Sequence, residues 1–480
     1  MEKKPRYITT TLPYVNAEPH IGFAYEILEA DALARYWRLL GHEVFFNTGT
    51  DEHGQKILQQ AQKSGKEVQA YVDEYAEKFR ALKDILGLDG ETLRFVRTTD
   101  AGHVTAAQEL WRRCSAREDI EKRTYKGLYC VGDEMFLKET DLVEGKCPNH
   151  PTIDPVEIEE ENYFFKLSNY QEEILAYLKK PSSVVPEWRR QEAINFVESG
   201  LEDFSISREK ARMSWGIPVP DDDTQVMYVW FDALTNYIST LGWPDDTAGT
   251  FKKFWEDGGT LQLAGKDQVR FQSIMWQGML ISAGVAPTDR VVYHGFINSG
   301  GQKMSKSIGN VISPAELVTR YGTEATRYLL LRHVHPFEDT DITWERLDEW
   351  YTAGLANGLG NLTARIMKMA EDNLDGPIER PAVTEFPSEY SDALDRYEFQ
   401  QAGDYVWKLI GALDERIQET EPFKLVKTDS VAAKKIITEL VTELYGIARL
   451  LAPVMPETSV AIKETILANK KPETLFARLS

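Results

Sequence analysis

Two short segments carry side chains suited to handling phosphate: Pro19-His20-Ile21-Gly22-Phe23, and Lys303-Met304-Ser305-Lys306-Ser307. The first follows an extended, Thr-rich run from Tyr7 to Leu12 and opens a stretch with helical spacing, where a helix N-terminus offers free N–H groups to an anion. Gly22 lets the backbone approach that anion closely. The second sets two ammonium groups on either side of small hydroxyl residues, after Gly300-Gly301, the make-up of a loop that closes on polyphosphate. Taken singly, one is a strand-to-helix turn and the other a solvated lysine loop. In this order and company they point to nucleotide activation.

The elements that must position them alternate. Tyr7 to Leu12 reads as a strand, Ile27, Ala30, Ala34, Trp37 and Leu40 recur at helical spacing up to Gly41, and Val44 to Asn47 reads as a second strand. In this βαβ unit the right-handed crossover sends His20 and the loop Gly49-Thr50-Asp51-Glu52-His53-Gly54 to one crevice, which makes Asp51 a candidate ligand-binding carboxylate. From Arg112 to about Asp223 the chain reads as an irregular insertion rich in Gly, Pro and acidic clusters such as Glu157 to Glu161. Alternation resumes with a buried-strand signature from Gln225 to Phe231, a strand at Leu261 to Ala264, a helix around Phe271 to Ala283, and Val291 to Tyr293 before the lysine loop. Beyond about Trp350 the pattern is helical. The expected fold is therefore α/β: a split, Rossmann-like parallel-sheet domain with an inserted connective subdomain, followed by an α-helical bundle.

The 480 residues, 42% hydrophobic and 27% charged, have room for two to four domains. No apolar run reaches the roughly eighteen residues of a membrane span, and no signal-type segment precedes Pro13, so a cytoplasmic protein without membrane contact is expected. A net charge of −21, from 55 basic and 76 acidic residues, argues against non-specific coating of nucleic acid and requires any RNA contact to be local. Three cysteines make no disulfide framework. Cys130-Val131-Gly132-Asp133 and Cys147-Pro148-Asn149-His150 have the form of a zinc knuckle with Cys130, Asp133, Cys147 and His150 as ligands. The alternative is a knuckle held by packing around buried thiols.

Together the motifs resemble the class I methionyl-tRNA synthetases over essentially the whole chain. The resemblance rests on Leu12-Pro13-Tyr14-Val15-Asn16 leading into His20-Ile21-Gly22, on Gly49 to Gly54, on Tyr228-Val229-Trp230-Phe231-Asp232-Ala233-Leu234 with Tyr237, on Gly265-Lys266-Asp267, on His294-Gly295-Phe296, on the lysine loop, and on Asn361-Leu362-Thr363-Ala364-Arg365. It implies that methionine's carboxylate attacks the α-phosphate of ATP, giving methionyl-adenylate and pyrophosphate, before the aminoacyl group passes to the terminal adenosine of initiator and elongator tRNA. It implies His20, Lys303 and Lys306 as catalytic groups acting with Mg²⁺, and Tyr14, Asn16, Gly22, Phe23, Gly265, Asp267, His294, Gly295 and Lys306 around ATP. Around methionine it implies Asp51 on the ammonium group, with Leu12, Trp230, Ala233, Leu234, Tyr237, Gln268 and Gln272 forming the pocket. In the bundle, Asn361, Arg365 and Phe423 match the anticodon readers.

The implied domains are a catalytic half at 1–111, the connective insertion at 112–223, a second catalytic half at 224–318, a stem-contact linker at 319–350 and the anticodon domain at 351–480. Without the C-terminal oligonucleotide-binding module that some relatives use to dimerise, a monomer is expected. Three positions depart from the family pattern: Phe23 replaces the usual second histidine, Gln272 a common pocket histidine, and Phe423 a common stacking tryptophan. Two alternatives are another class I synthetase, for which the insertion is too short to edit branched aliphatics, and a non-catalytic RNA-binding relative, against which the intact lysine loop speaks.

Overall fold

The computed structural model describes residues 3–130, 135–137, 142–148, 153–304, 310–382 and 385–479. It divides into two compact units: one comprises the chain through Glu18, Asn47–Arg80 and Leu93–Tyr293, the other Pro19–Phe46, Ala81–Thr92 and the chain from His294.

A six-stranded parallel sheet organises the first unit. Its strands are β1 (Arg6–Thr9), β2 (Val44–Thr50), β3 (Leu93–Arg97), β4 (Val184–Val185), β5 (Gly259–Gly265) and β6 (Arg290–His294). They lie in the order β3-β2-β1-β5-β6-β4. Short apolar runs such as Leu263-Ala264 and Val291-Val292-Tyr293 suit strands buried on both faces. β1 and β5 pair in register from Arg6 with Gly259 to Thr9 with Gln262. The strand order reverses between these two, so the crevice beyond their carboxyl ends is where a ligand belongs in such a sheet.

The described residues of the insertion form regular strands and helices, not an irregular stretch. Strands Ile120–Cys130 and Val156–Phe165 pair antiparallel from Ile120 with Phe165 to Tyr129 with Val156. The acidic run Glu157 to Glu161 sits within a strand because basic residues lie across from it: Lys126 pairs with Glu157 and Lys122 with Glu161, each at 3.2 Å. Helices Gln171–Leu178 and Glu187–Glu198 follow the hairpin, and β4, between them, extends the parallel sheet at its edge. The expected strand Gln225 to Phe231 is also corrected. The strand is Asp222–Met227, antiparallel to Ser207–Glu209, and Val229–Leu234 is helical. A continuous apolar run does not by itself distinguish a buried strand from a buried helix.

In the second unit, helix α1 (Ile21–Leu39) is buried on nearly all sides, including the acidic side chains Glu26, Glu29 and Asp31. Asp31 pairs with Arg327 of the helix Thr323–His333 at 2.6 Å, both side chains fully buried. The same guanidinium donates to the carbonyls of Leu86, Pro453 and Val454. Helices Asn361–Asn373, Ser388–Asp395, Phe399–Thr420, Ser430–Leu451 and Pro456–Ala468 form the bundle of this unit.

Candidate active site

In the first unit, the segments that leave β1 and β2 are joined by their main chains. The Val15 N–H donates to the Asp51 carbonyl at 3.2 Å, and the Asp51 N–H donates to Pro13 at 3.0 Å. Leu12, Tyr14 and Asn16 are half-buried beside this bridge, while Asp51 is 6% exposed. Gly265, the last residue of β5, is buried; beyond it Asp267 is exposed, and the half-buried Gln268 donates to the Asp267 carboxylate at 3.1 Å.

The chain then widens into a π turn, Phe271–Met275, closed by the Trp276 N–H on the Phe271 carbonyl. Such turns are rare and often carry function. This one buries Gln272, whose Nε2 donates to the Tyr237 hydroxyl, and stacks Phe271 on Trp230 with ring centroids 3.8 Å apart and planes 12° from parallel. Ala233, Leu234 and Tyr237 are buried on the helix Val229–Leu234 and the turn that follows it. That turn is tied to the sheet by the Tyr7 hydroxyl on the Tyr237 carbonyl at 2.8 Å, and by Asn47 on Asn236 at 2.9 Å. A cavity of about 420 Å³ is lined by Trp230 and Phe271 together with Tyr228, Arg208, Arg270 and Met275. Asp51, Tyr237 and Gln272 do not line it.

Two buried networks in this unit were not assigned from sequence. Glu52, fully buried, accepts from Arg97 (2.7 and 2.9 Å), Thr50 (2.6 Å) and Thr99 (2.5 Å). Asp232, also fully buried, accepts from His53 Nδ1 at 2.6 Å and His103 Nε2 at 2.8 Å. Burial would raise the Asp232 carboxyl, but the two imidazoles outweigh it and hold it below the usual carboxylate range. Glu52, His53 and Asp232 stand inside the quoted motifs, where they could have been noticed; Arg97 and His103 gave no signal.

In the second unit His20 caps α1, its Nδ1 accepting from the Gly22 N–H at 3.1 Å. The ring proton therefore sits on Nε2, and the residue is exposed. A β-carbon on Gly22 would stand 3.1 Å from the His20 ring, so the glycine leaves room for that cap. Phe23 is buried. His294 is 7% exposed, with Nε2 2.9 Å from Glu26 and Nδ1 donating to the Gly295 carbonyl at 2.8 Å. Burial alone would lower its pKa; the hydrogen bond and charge of Glu26, with the charge of Glu29, raise it to about 9. Glu29 is pushed by burial up to about 8. Gly295 is required by its neighbours, since a β-carbon there would lie 2.2 Å from the Glu338 carbonyl. Lys303 ends a two-residue strand, and Lys306 lies outside the described residues.

In the bundle, Asn361 is exposed, Arg365 is paired with Asp414, and Phe423 is 48% exposed. In the insertion, Cys130 and Cys147 are buried in one small apolar cluster with Leu137, as both the zinc and the packing readings require. Asp133 and His150 lie outside the described residues, among which no group of three metal-binding side chains converges.

The family model for class I tRNA synthetases (M) matches residues 6–155 and 152–367. A methionine–tRNA ligase of Thermotoga maritima is 40% identical over 489 aligned positions, covering 97% of this chain and 76% of that protein. One from Mycobacterium tuberculosis is 39% identical, covering 96% and 92%. The solved structure of Mycobacterium tuberculosis methionyl-tRNA synthetase in complex with methionyl-adenylate superposes with a TM-score of 0.88 at 38% identity, over 96% of this chain and 94% of that one. The free form of the same enzyme gives 0.83 at 32% identity. The chain belongs to the class I tRNA synthetases of the M type, the family of these methionine–tRNA ligases.

Proposed function

We propose that the chain is a methionine–tRNA ligase. It joins methionine to ATP, releasing pyrophosphate, and passes the methionyl group from the adenylate to the terminal adenosine of its tRNA. The observation that carries this reading is the likeness to methionine ligases along almost the whole chain, at 40% identity.

Catalysis rests on positioning and charge. The carboxylate oxygen of methionine attacks the α-phosphorus as the bond to pyrophosphate breaks, and the acting groups must already surround that centre. His20 suits the task because its cap on Gly22 fixes the tautomer with the proton on Nε2. Lys303 and Lys306 would neutralise the departing pyrophosphate; Mg²⁺, carried in on ATP, supplies further phosphate neutralisation when bound. Tyr14, Asn16, Gly22, Gly265 and Asp267 are assigned to the nucleotide, with Gly295 shaping the backbone and His294 holding Glu26 on α1. Asp51 takes the methionine ammonium group, while Leu12, Trp230, Ala233, Leu234, Tyr237, Gln268 and Gln272 surround the side chain. Sulfur beside aromatic rings contributes about 0.3–1.5 kcal/mol.

Asn361, Arg365 and Phe423 are assigned to the anticodon, and the protein to the cytoplasm as a monomer. No helix among the described residues is long and apolar enough to cross a membrane. Zinc at Cys130 and Cys147 is decided by metal analysis of the purified protein. The activity is tested by methionine-dependent exchange of labelled pyrophosphate into ATP, with leucine, isoleucine and cysteine as controls. Exchange with methionine alone, abolished in Lys306→Ala, is expected; no exchange with any amino acid would overturn the reading.

A further inference from the structure

The buried Asp232 stands between two parts of the methionine site. On one side His53 lies two residues beyond Asp51, on the loop assigned to the ammonium group. On the other, Asp232 itself belongs to the helix Val229–Leu234, which carries Trp230, Ala233 and Leu234. His53 Nδ1 and His103 Nε2 take one carboxylate oxygen each, at 2.6 and 2.8 Å. His103 is fixed in turn by Ser239 Oγ at 2.9 Å from Nδ1, and it sits on the helix Ala101–Ala116. His53 is packed against Trp215, with ring centroids 5.5 Å apart, and the Trp215 indole donates to the Glu52 carbonyl at 2.6 Å. The loop is thereby held from both sides.

We propose that His53, Asp232 and His103 form a clamp that sets the distance between the ammonium site and the side-chain pocket, and so act as the ruler for the length of the amino acid. This inference rests on the methionine-ligase reading. The three are positioning residues, acting on the substrate through Asp51 and the pocket helix. The neighbouring links Tyr7 to Tyr237 and Asn47 to Asn236 join uncharged groups. The clamp joins a buried carboxylate to two imidazole N–H donors, and hydrogen bonds to a charged group are the stronger kind. A methionine chain fixed at both ends tolerates an extra methylene only if that spacing yields.

The test uses the full chain and pyrophosphate exchange with methionine and with ethionine, whose side chain is one methylene longer. Asp232→Asn keeps the shape of the side chain and replaces one acceptor by a donor facing an N–H. It should raise KM for methionine about tenfold, the scale of losing a buried hydrogen bond to a charged group. KM for ATP should stay near the parent value, and the preference for methionine over ethionine should fall. His53→Ala and His103→Ala should behave alike. His53→Asn, whose amide nitrogen replaces Nδ1, and His103→Gln, whose nitrogen replaces Nε2, should restore both readouts.

Unchanged KM for methionine and unchanged preference in Asp232→Asn would overturn the clamp, as would equal losses toward both amino acids, the mark of a general structural defect. A parent protein without methionine-dependent exchange would instead overturn the functional reading, and the clamp with it.

Discussion

In the proposed mechanism His20 donates through Nε2, since Nδ1 accepts from the Gly22 N–H. His20→Ala should therefore lower the exchange rate about 100- to 1,000-fold, as loss of one preorganised donor does elsewhere, and lower the melting temperature modestly, since it also removes the cap of α1, worth about 0.5–2 kcal/mol. Tyr237→Phe removes the acceptor for Gln272 and should raise KM for methionine about 2- to 10-fold, the worth of one ordinary hydrogen bond. Protonation enters through the acids of α1. Glu29, raised from its ordinary 4.5 to about 8, and His294, raised from 6.5 to about 9, both hold a proton more tightly folded than unfolded. Unfolding then releases protons, and stability falls as pH rises through these windows, most steeply between 6.5 and 8 where they overlap. Thermal melting across that range should show the slope, and Glu29→Gln should flatten it. Of these residues His20 and Asp51 stand out in the sequence as candidates, because a motif and a topological rule both single them out. His103 and Arg97 do not: each meets its buried carboxylate across more than 40 positions of sequence, and nothing local announces the encounter.

At the scale of elements, tight backbone approaches set the tolerance to change. Gly49→Ala would put a β-carbon 1.8 Å from the Val96 carbonyl oxygen, between the neighbouring strands β2 and β3. It should destabilise by about 1–3 kcal/mol or prevent folding, since main chain cannot move aside as a flexible side chain does. Gly411 and Gly446 are exposed inside helices, and an added β-carbon meets nothing within 4 Å. Alanine at either should stabilise by about 0.5–1 kcal/mol, read as a rise in melting temperature. β1, β2, β5 and β6 were readable because their apolar runs are short and bounded by turn residues. The helix Val229–Leu234 was mistaken for strand because its buried face continues the apolar run of the preceding strand. The π turn at Phe271 and the two-residue edge strand Val184–Val185 escaped notice for another reason: one extra residue in a helical turn and two strand residues leave no periodicity to detect.

At the scale of the whole molecule, the net charge of −21 is spread over a chain whose assigned partner is itself polyanionic. The parallel sheet and the helical C-terminal region were legible from the order of elements, whereas the division into two units was not, since each gathers segments far apart in sequence. Arg327 is the clearest case. Its guanidinium binds Asp31, Leu86, Pro453 and Val454 with no exposure to solvent, and replacing it by methionine should cost about 3–5 kcal/mol by leaving Asp31 buried with a charge partner removed. A double-mutant cycle by chemical denaturation, with Asp31→Asn, Arg327→Met and the double change, should show strong coupling between them. The four acceptors also impose an order in time. During synthesis, α1 and the segment around Leu86 emerge early, yet the guanidinium meant for them arrives with residue 327 and is satisfied only when residues 453 and 454 have left the ribosome. Until then the second unit holds a buried-charge site without its full set of partners, so its closure waits on the last stretch of the chain while the sheet of the first unit already has all its strands.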